Sequence, residues 1–381
     1  MLIALFILAI CSCVSMQTMD GDLEGTSLVA YVSVLLLLYL TPTILIYYSS
    51  PRPKVASHLI RTLTILLIWM SVASLLSSYS NLRGTIFQIL RILLPLVTLK
   101  LAFSYTQKNG VDKTIHLASI GMMLLIVIQY FAIYRVTIWE SGGHLITAYY
   151  PLFILPLVLM NRSKAIRVGA ILLVTLVIFT SLKRGGVIAL AASLVAYICS
   201  YFYIKGQGSK SLFYAMFSIL VIAGVFSYLS LGEYSEIIER MMNIRDDEGS
   251  GRLTVWETSL GMILSSDTMP FLFGHGFNAV LRDSPLELSA HNDLLEAWYD
   301  FGLVGLIAYL SFLWVTMRYT KRLLREKSSV APHMAMTLTF MLILTMISHV
   351  LIYFFMTLIC LTIGTIAGKH EYDEHNQPDH I

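Results

Sequence analysis

The sequence predicts an all-α, polytopic integral membrane protein: about twelve transmembrane helices and one large extracytoplasmic loop that carries short amphipathic helices. Three observations carry that prediction. First, 57% of the 381 residues are hydrophobic and only 13% are charged, with a mean hydropathy of +0.74. A soluble domain is typically ~45–50% apolar and ~25% charged, so this chain has too little charge to solvate its own surface. Second, apolar runs approaching the ~20 residues that a bilayer requires recur from end to end. Third, only residues 232–301 break the pattern, as a polar segment of about 70 residues. This composition excludes a disordered chain, a collagen-like chain and an ordinary cytosolic enzyme. A net charge of +3 gives no basic field for nucleic acid. Cys11, Cys13, Cys199 and Cys360 all lie inside apolar runs without a CxxC pair, so neither a disulfide framework nor a zinc site is expected.

In chain order the spans fall near 2–16, 28–48, 62–78, 84–103, 117–134, 146–160, 168–181, 187–203, 211–231, 302–317, 334–348 and 351–368. The first lacks a basic flank and a small-x-small cleavage site, so it reads as an uncleaved span. With the N-terminus in the cytoplasm, 17 of the 26 Lys and Arg residues fall on the inner side and nine on the outer. The positive-inside rule therefore puts both termini in the cytoplasm. The division that follows is nine helices in 1–231, an extracytoplasmic catalytic loop at 232–301, three helices in 302–368 and a short, polar, flexible cytoplasmic tail at 369–381.

Several residues on the outer side run against simple physical preference. Lys183 and Arg184 sit just before or at the start of a helix, where the macrodipole already carries roughly +0.5 charge. Gly185 and Gly186 follow and let a ligand approach the backbone. Cations, helix N–H groups and missing side-chain bulk together suit a phosphate; the plainer account is snorkelling to lipid headgroups. In the large loop, Gly251-Arg252 opens a helix whose Leu253, Trp256, Leu260 and Ile263 recur at helical spacing, as in a helix lying on the membrane surface. Arg252 repeats the Arg184 anomaly, although it has Asp246, Asp247 and Glu248 nearby as ordinary ion-pair partners. Those three consecutive acids share no face, so no metal site is read there. Arg245 is a secondary candidate in the same stretch.

Gly274-His275-Gly276 reads as a tight turn with positive φ at its glycines, and His275 is a secondary ligand or proton carrier. Next, His291-Asn292-Asp293-Leu294-Leu295-Glu296 leads into the span at 302. Ser289 or Asn292 can cap that helix. The positive end of the helix dipole disfavours imidazolium, so His291 is expected to be neutral and able to act as a general base; a structural loop histidine is the alternative. Glu296 follows Asn292 at i+4 and falls off the His291 face.

The run from His291 to Glu296, followed by Tyr299-Asp300-Phe301-Gly302-Leu303-Val304-Gly305-Leu306, resembles the C-terminal signature of bacterial O-antigen polymerases and O-antigen ligases. Ser181-Leu182-Lys183-Arg184-Gly185-Gly186 resembles the family's Ser-Arg-Gly turn with additional spacing. Gly251-Arg252 with Trp256 and Glu257, and Gly274-His275-Gly276-Phe277, are similar to its loop motifs. The resemblance implies a metal-independent, cofactor-free, inverting glycosyltransferase of the bacterial inner membrane, with its active site on the outer face. Its donor would be an oligosaccharide linked to undecaprenyl diphosphate. Arg184 and Arg252, helped by Lys183, would hold the diphosphate, and His291 would be catalytic. The acceptor would be another lipid-linked glycan in a polymerase, or lipid A-core (less readily a protein hydroxyl) in a ligase; a chain-length regulator protein is a further partner. A flippase of lipid-linked glycans is the rival from another class. Transporters, however, collect ionisable residues at the midplane and often carry internal repeats, whereas here they gather at one face.

Overall fold

The computed structural model describes residues 57–77, 82–141, 146–181, 183–207, 251–348, 350–351 and 355–376, and among these it is all-helical. The expected spans at 2–16, 28–48 and 211–231 lie outside the described residues, as do Arg245 and Asp246, Asp247 and Glu248. The N-terminal helices are α1 (Ser57–Leu76), α2 (Leu82–Asn109) and α3 (Lys113–Ser141). A 3-10 turn, Ile146–Tyr149, leads into α4 (Tyr150–Leu159), followed by α5 (Lys164–Thr180) and α6 (Arg184–Ile204). The large loop contributes α7 (Arg252–Leu264), α8 (Thr268–Phe273) and α9 (Ala279–Asp283). The chain continues through α10 (Asp293–Arg325), α11 (Ala331–Ile347) and α12 (Phe355–Asn376).

Among the described residues, four stretches are long and apolar enough to cross a bilayer: His58–Leu76, Lys113–Phe131, Gly185–Ile204 and Asp293–Arg325. Ile65, Ile68, Leu124, Ile128, Leu172, Leu176, Ile307 and Trp314 stay exposed on the described helices. So many large apolar side chains facing outward suit lipid tails, not water. The protein is accordingly an integral membrane protein.

α4 sits at the centre, with every residue buried, as a helix hydrophobic on all sides must be. Phe355 of α12 packs among Tyr149, Tyr150 and Phe153 at centroid distances of 6.3, 4.8 and 5.1 Å. α12 lies closely along α2. A Cβ on Gly364 would stand 2.6 Å from the Leu99 carbonyl oxygen, and one on Gly368 2.5 Å from that of Phe103. This small-xxx-small stripe is what lets two backbones touch inside a membrane.

Two expectations need correction. α12 remains helical to Asn376, with His370 and Glu371 buried, so the segment after Gly368 is not a flexible tail over that stretch; hydrogen bonds from Gln107 to Glu371, from Ser329 to Asp373 and between Ser328 and His370 tie it to neighbouring segments past the end of the hydrophobic run. On α7, the buried stripe is Val255, Ser259 and Ile263, an i, i+4, i+8 row. Leu253, Leu260 and Leu264 are exposed instead and supply the apolar face available to a membrane surface.

Candidate active site

Two groups of sequence-selected residues are built by different means. The first begins at the turn between α5 and α6. Ser181 closes α5 by donating its hydroxyl to the Ile178 carbonyl at 2.7 Å, and Lys183 is already the N-cap of α6. No side chain caps that helix start, so its first N–H groups remain open to another acceptor. Tyr149 covers the turn. Its hydroxyl lies 3.3 Å from where a Cβ of Gly185 would be and its ring 3.3 Å from the same point on Gly186, but Ile347 at 2.3 Å and Ile178 at 3.1 Å stand nearer still, so the space the two glycines leave is taken up by protein packing and not kept open for a ligand as expected. Lys183 Nζ lies 5.5 Å from the Tyr149 ring centroid. Arg184 opens α6; its side chain is outside what the structure describes.

Arg252 arrives at the same place from the large loop. It opens α7 behind Gly251, which takes φ 72°, and this helix also lacks a side-chain cap. The Arg252 charge is felt by both Lys183 and Tyr149. Burial, and then Arg252, pull the Lys183 ammonium down from its ordinary range to about 8. Among the described residues no carboxylate pairs with Lys183 or Arg252. Two cations brought together without a counter-charge raise each other's energy, a cost that a bound anion would reverse.

The second group surrounds the start of α10. The Asn292 side chain accepts from Leu294 N at 3.0 Å and Leu295 N at 3.4 Å, forming the expected cap. His291 precedes it with φ 51°, a left-handed conformation in which Asn, Asp and His are enriched. Glu296 is buried and accepts from His291 N at 3.1 Å. Its carboxyl group therefore holds the histidine's backbone. The groups are linked by Trp256, one turn along α7 from Arg252, whose Nε1–H donates to the Ala290 carbonyl at 2.9 Å. That bond fixes the residue before His291 to the helix that Arg252 opens.

The Gly274-His275-Gly276 turn has positive φ at both glycines, 92° and 100°, as expected. It docks on a break in α10 at Gly302, where φ is 71° and ψ −178°. A Cβ on Gly274 would stand 2.3 Å from the Asp300 carbonyl oxygen, and one on Gly302 2.3 Å from that of Leu272. The His275 ring stacks on Tyr299 at 4.0 Å, with Nδ1 3.1 Å from the Tyr299 carbonyl and Nε2 3.4 Å from Ser266 Oγ. His275 is thus engaged in the lock and is not gathered with Lys183 and Arg252. Trp69 of α1 donates to the Phe301 carbonyl at 2.8 Å, and Ser77, just past the end of α1, donates to that of His275 at 2.6 Å.

Three residues went unselected by sequence reasoning. Asp293 accepts from Val350 N, Leu351 N and Tyr309 OH at 3.0–3.2 Å, and Asp300 accepts from Asn278 N and Val280 N at 2.7 and 3.0 Å. Both are fully buried; acids between apolar residues were the available signal. Tyr149, at the mouth of an apolar run, carried no such mark.

The helical membrane scaffold thus brings Lys183 and Tyr149 within the influence of the Arg252 charge and ties the Arg252 helix to the residue before His291. A family model described as O-antigen ligase matches residues 169–310, from α5 through the break in α10. No curated protein matches the chain. Over those residues the chain is similar to that family, in agreement with the resemblance drawn from its motifs.

Proposed function

We propose that the protein is a polymerase of O-antigen or a related surface polysaccharide. It transfers an oligosaccharide from undecaprenyl diphosphate to a sugar hydroxyl of another lipid-linked repeat unit, on the outer face of the inner membrane. One observation carries the reading: Lys183 and Arg252 converge, without a carboxylate partner among the described residues, beside the Gly185-Gly186 turn and on a helix tied to Ala290. Arg184, Arg252 and Lys183 hold the diphosphate. The exposed Ile188 and Leu253 offer the polyprenyl chain an apolar surface next to those cations.

In the transfer, the acceptor hydroxyl oxygen attacks the anomeric carbon from the side opposite the diphosphate, so the configuration inverts. The bond from carbon to phosphate oxygen breaks, and its electron pair leaves on undecaprenyl diphosphate. The guanidinium groups and the open N–H groups of α6 and α7 stabilise that developing charge. His291 accepts the proton of the attacking hydroxyl, and Asn292 and Glu296 keep its backbone in place. No metal enters the reaction.

The description of the matched family as O-antigen ligase favours a second reading with the same donor chemistry, in which lipid A-core is the acceptor. Purified protein given a lipid-diphosphate glycan, with and without lipid A-core, separates the two. A ladder of lengthened glycan without core supports the polymerase. Product formed only on the core selects the ligase, and no transfer in either arm rejects both.

A further inference from the structure

The end of α10 remote from Asp293 holds a cluster that plays no part in the proposed transfer. Glu326 is the C-cap residue of α10. His370 and Glu374 lie one turn apart on α12. His370 Nε2 is 3.2 Å from Glu326 Oε2 and 3.4 Å from Glu374 Oε1. The imidazole is buried, with 5% of its side chain exposed, yet Nε2 has no hydrogen-bond partner. Both carboxylates are within reach, but neither lies where the ring would direct a bond. The other ring nitrogen is engaged, with Nδ1 3.0 Å from Ser328 Oγ. Glu326 also accepts from Arg322 Nε through its other oxygen at 2.6 Å.

Neither tautomer suits these surroundings. If Nε2 is unprotonated, its lone pair faces two carboxylates; if it is protonated, its hydrogen has no directed acceptor in a buried position. A cation between the three groups resolves both cases. Ligand atoms bound tetrahedrally at ~2.0–2.1 Å stand about 3.3–3.4 Å apart, close to the two distances observed. All three candidate ligand atoms lie within 4.8 Å of one another, and the two glutamates are 35% and 41% exposed, free to swing inward. Glu374, together with the second oxygen of Glu326 that Arg322 leaves open, supplies negative charge for a cation, and Ser328 fixes the ring as outer-sphere partners of metal-bound histidines do.

We propose that Glu326, His370 and Glu374 form a zinc site that clamps the end of α10 to α12, with water in the fourth position. Imidazole with carboxylates suits Zn2+, whereas Mg2+ prefers an octahedron of oxygens. The site is independent of the glycosyl-transfer reading. Untagged full-length protein, purified in detergent and stripped with chelator, tests it by metal analysis and thermal unfolding. One Zn2+ per chain should survive buffer exchange and raise Tm by several degrees, with Mg2+ giving no shift. Glu374→Gln, a change at a part-exposed position, should lose most of the retained zinc and of the shift, and His370→Ala should lose both. If the wild-type chain retains no zinc, or retains as much in Glu326→Gln and Glu374→Gln, the site does not exist.

Discussion

The starts of α6 and α7 differ from the start of α10. At α10 the chain answers its own polar groups. Asn292 caps the helix, Glu296 takes the His291 N–H, and Asp293 and Asp300 are filled by backbone donors from 278–280 and 350–351. At α6 and α7 it does not: both helices open on an arginine, neither has a side-chain cap, and the Arg252 charge bears on Lys183 with no described acid paired to either. Stability alone explains the first arrangement but not the second. That difference is what the proposed diphosphate site rests on.

The sharpest test of that contrast is His291, which stands where the two arrangements meet. His291→Asn keeps a residue that tolerates φ 51° but removes the base, so transfer should fall ~10²–10⁴-fold at unchanged protein abundance. Normal glycan length in that variant would assign His291 to the self-sufficient side. Next comes Arg252→Lys, which preserves charge and loses the bidentate fork. Its kcat should drop on the order of 10²–10³-fold, and wild-type turnover would make Arg252 an ordinary surface cation. Gly302→Ala attacks the scaffold instead. The left-handed backbone alone costs ~1–3 kcal/mol, and the new Cβ would meet the Leu272 carbonyl at 2.3 Å. Lower yield and Tm are expected, and an unaffected Tm would show that the break in α10 is not locked.

The smallest effect is in pH. A bound diphosphate favours charged Lys183, whose free ammonium titrates near 8. Donor affinity should therefore be flat below about pH 8 and fall above it, by up to tenfold per unit. Arg252→Gln removes the second cause of the depression, so the break should move to higher pH. A donor KM that stays constant from pH 7 to 9.5 would remove Lys183 from the site.

Much of this was legible in the sequence because it rests on local rules. Positive φ at Gly274 and Gly276 follows from a Gly-His-Gly turn, and the Asn292 cap follows from Asn before an acidic, apolar helix start. The resemblance pointed to Arg184 and Arg252, and a cation ahead of a helix start pointed to Lys183. What escaped was set by packing between distant segments. Tyr149 is an unremarked tyrosine until α5 and α6 fold over it. The buried row of α7 depends on which side faces α10, which periodicity alone leaves open. The His370–Glu374 spacing of one helical turn was visible, but the expectation of a flexible tail removed the helix that gives it meaning. Glu326 comes from another element altogether.

Gly274 and Gly302 together work like a halved joint in timber: each backbone occupies the notch that the other's missing side chain leaves open. The position of the segment that carries His291 is thereby set by two crossing main chains on either side of it, and not by the length of the intervening link. Pro285, Leu286, Glu287 and Leu288 are all exposed, so this short link can be lengthened or carry a tag while the histidine keeps its station.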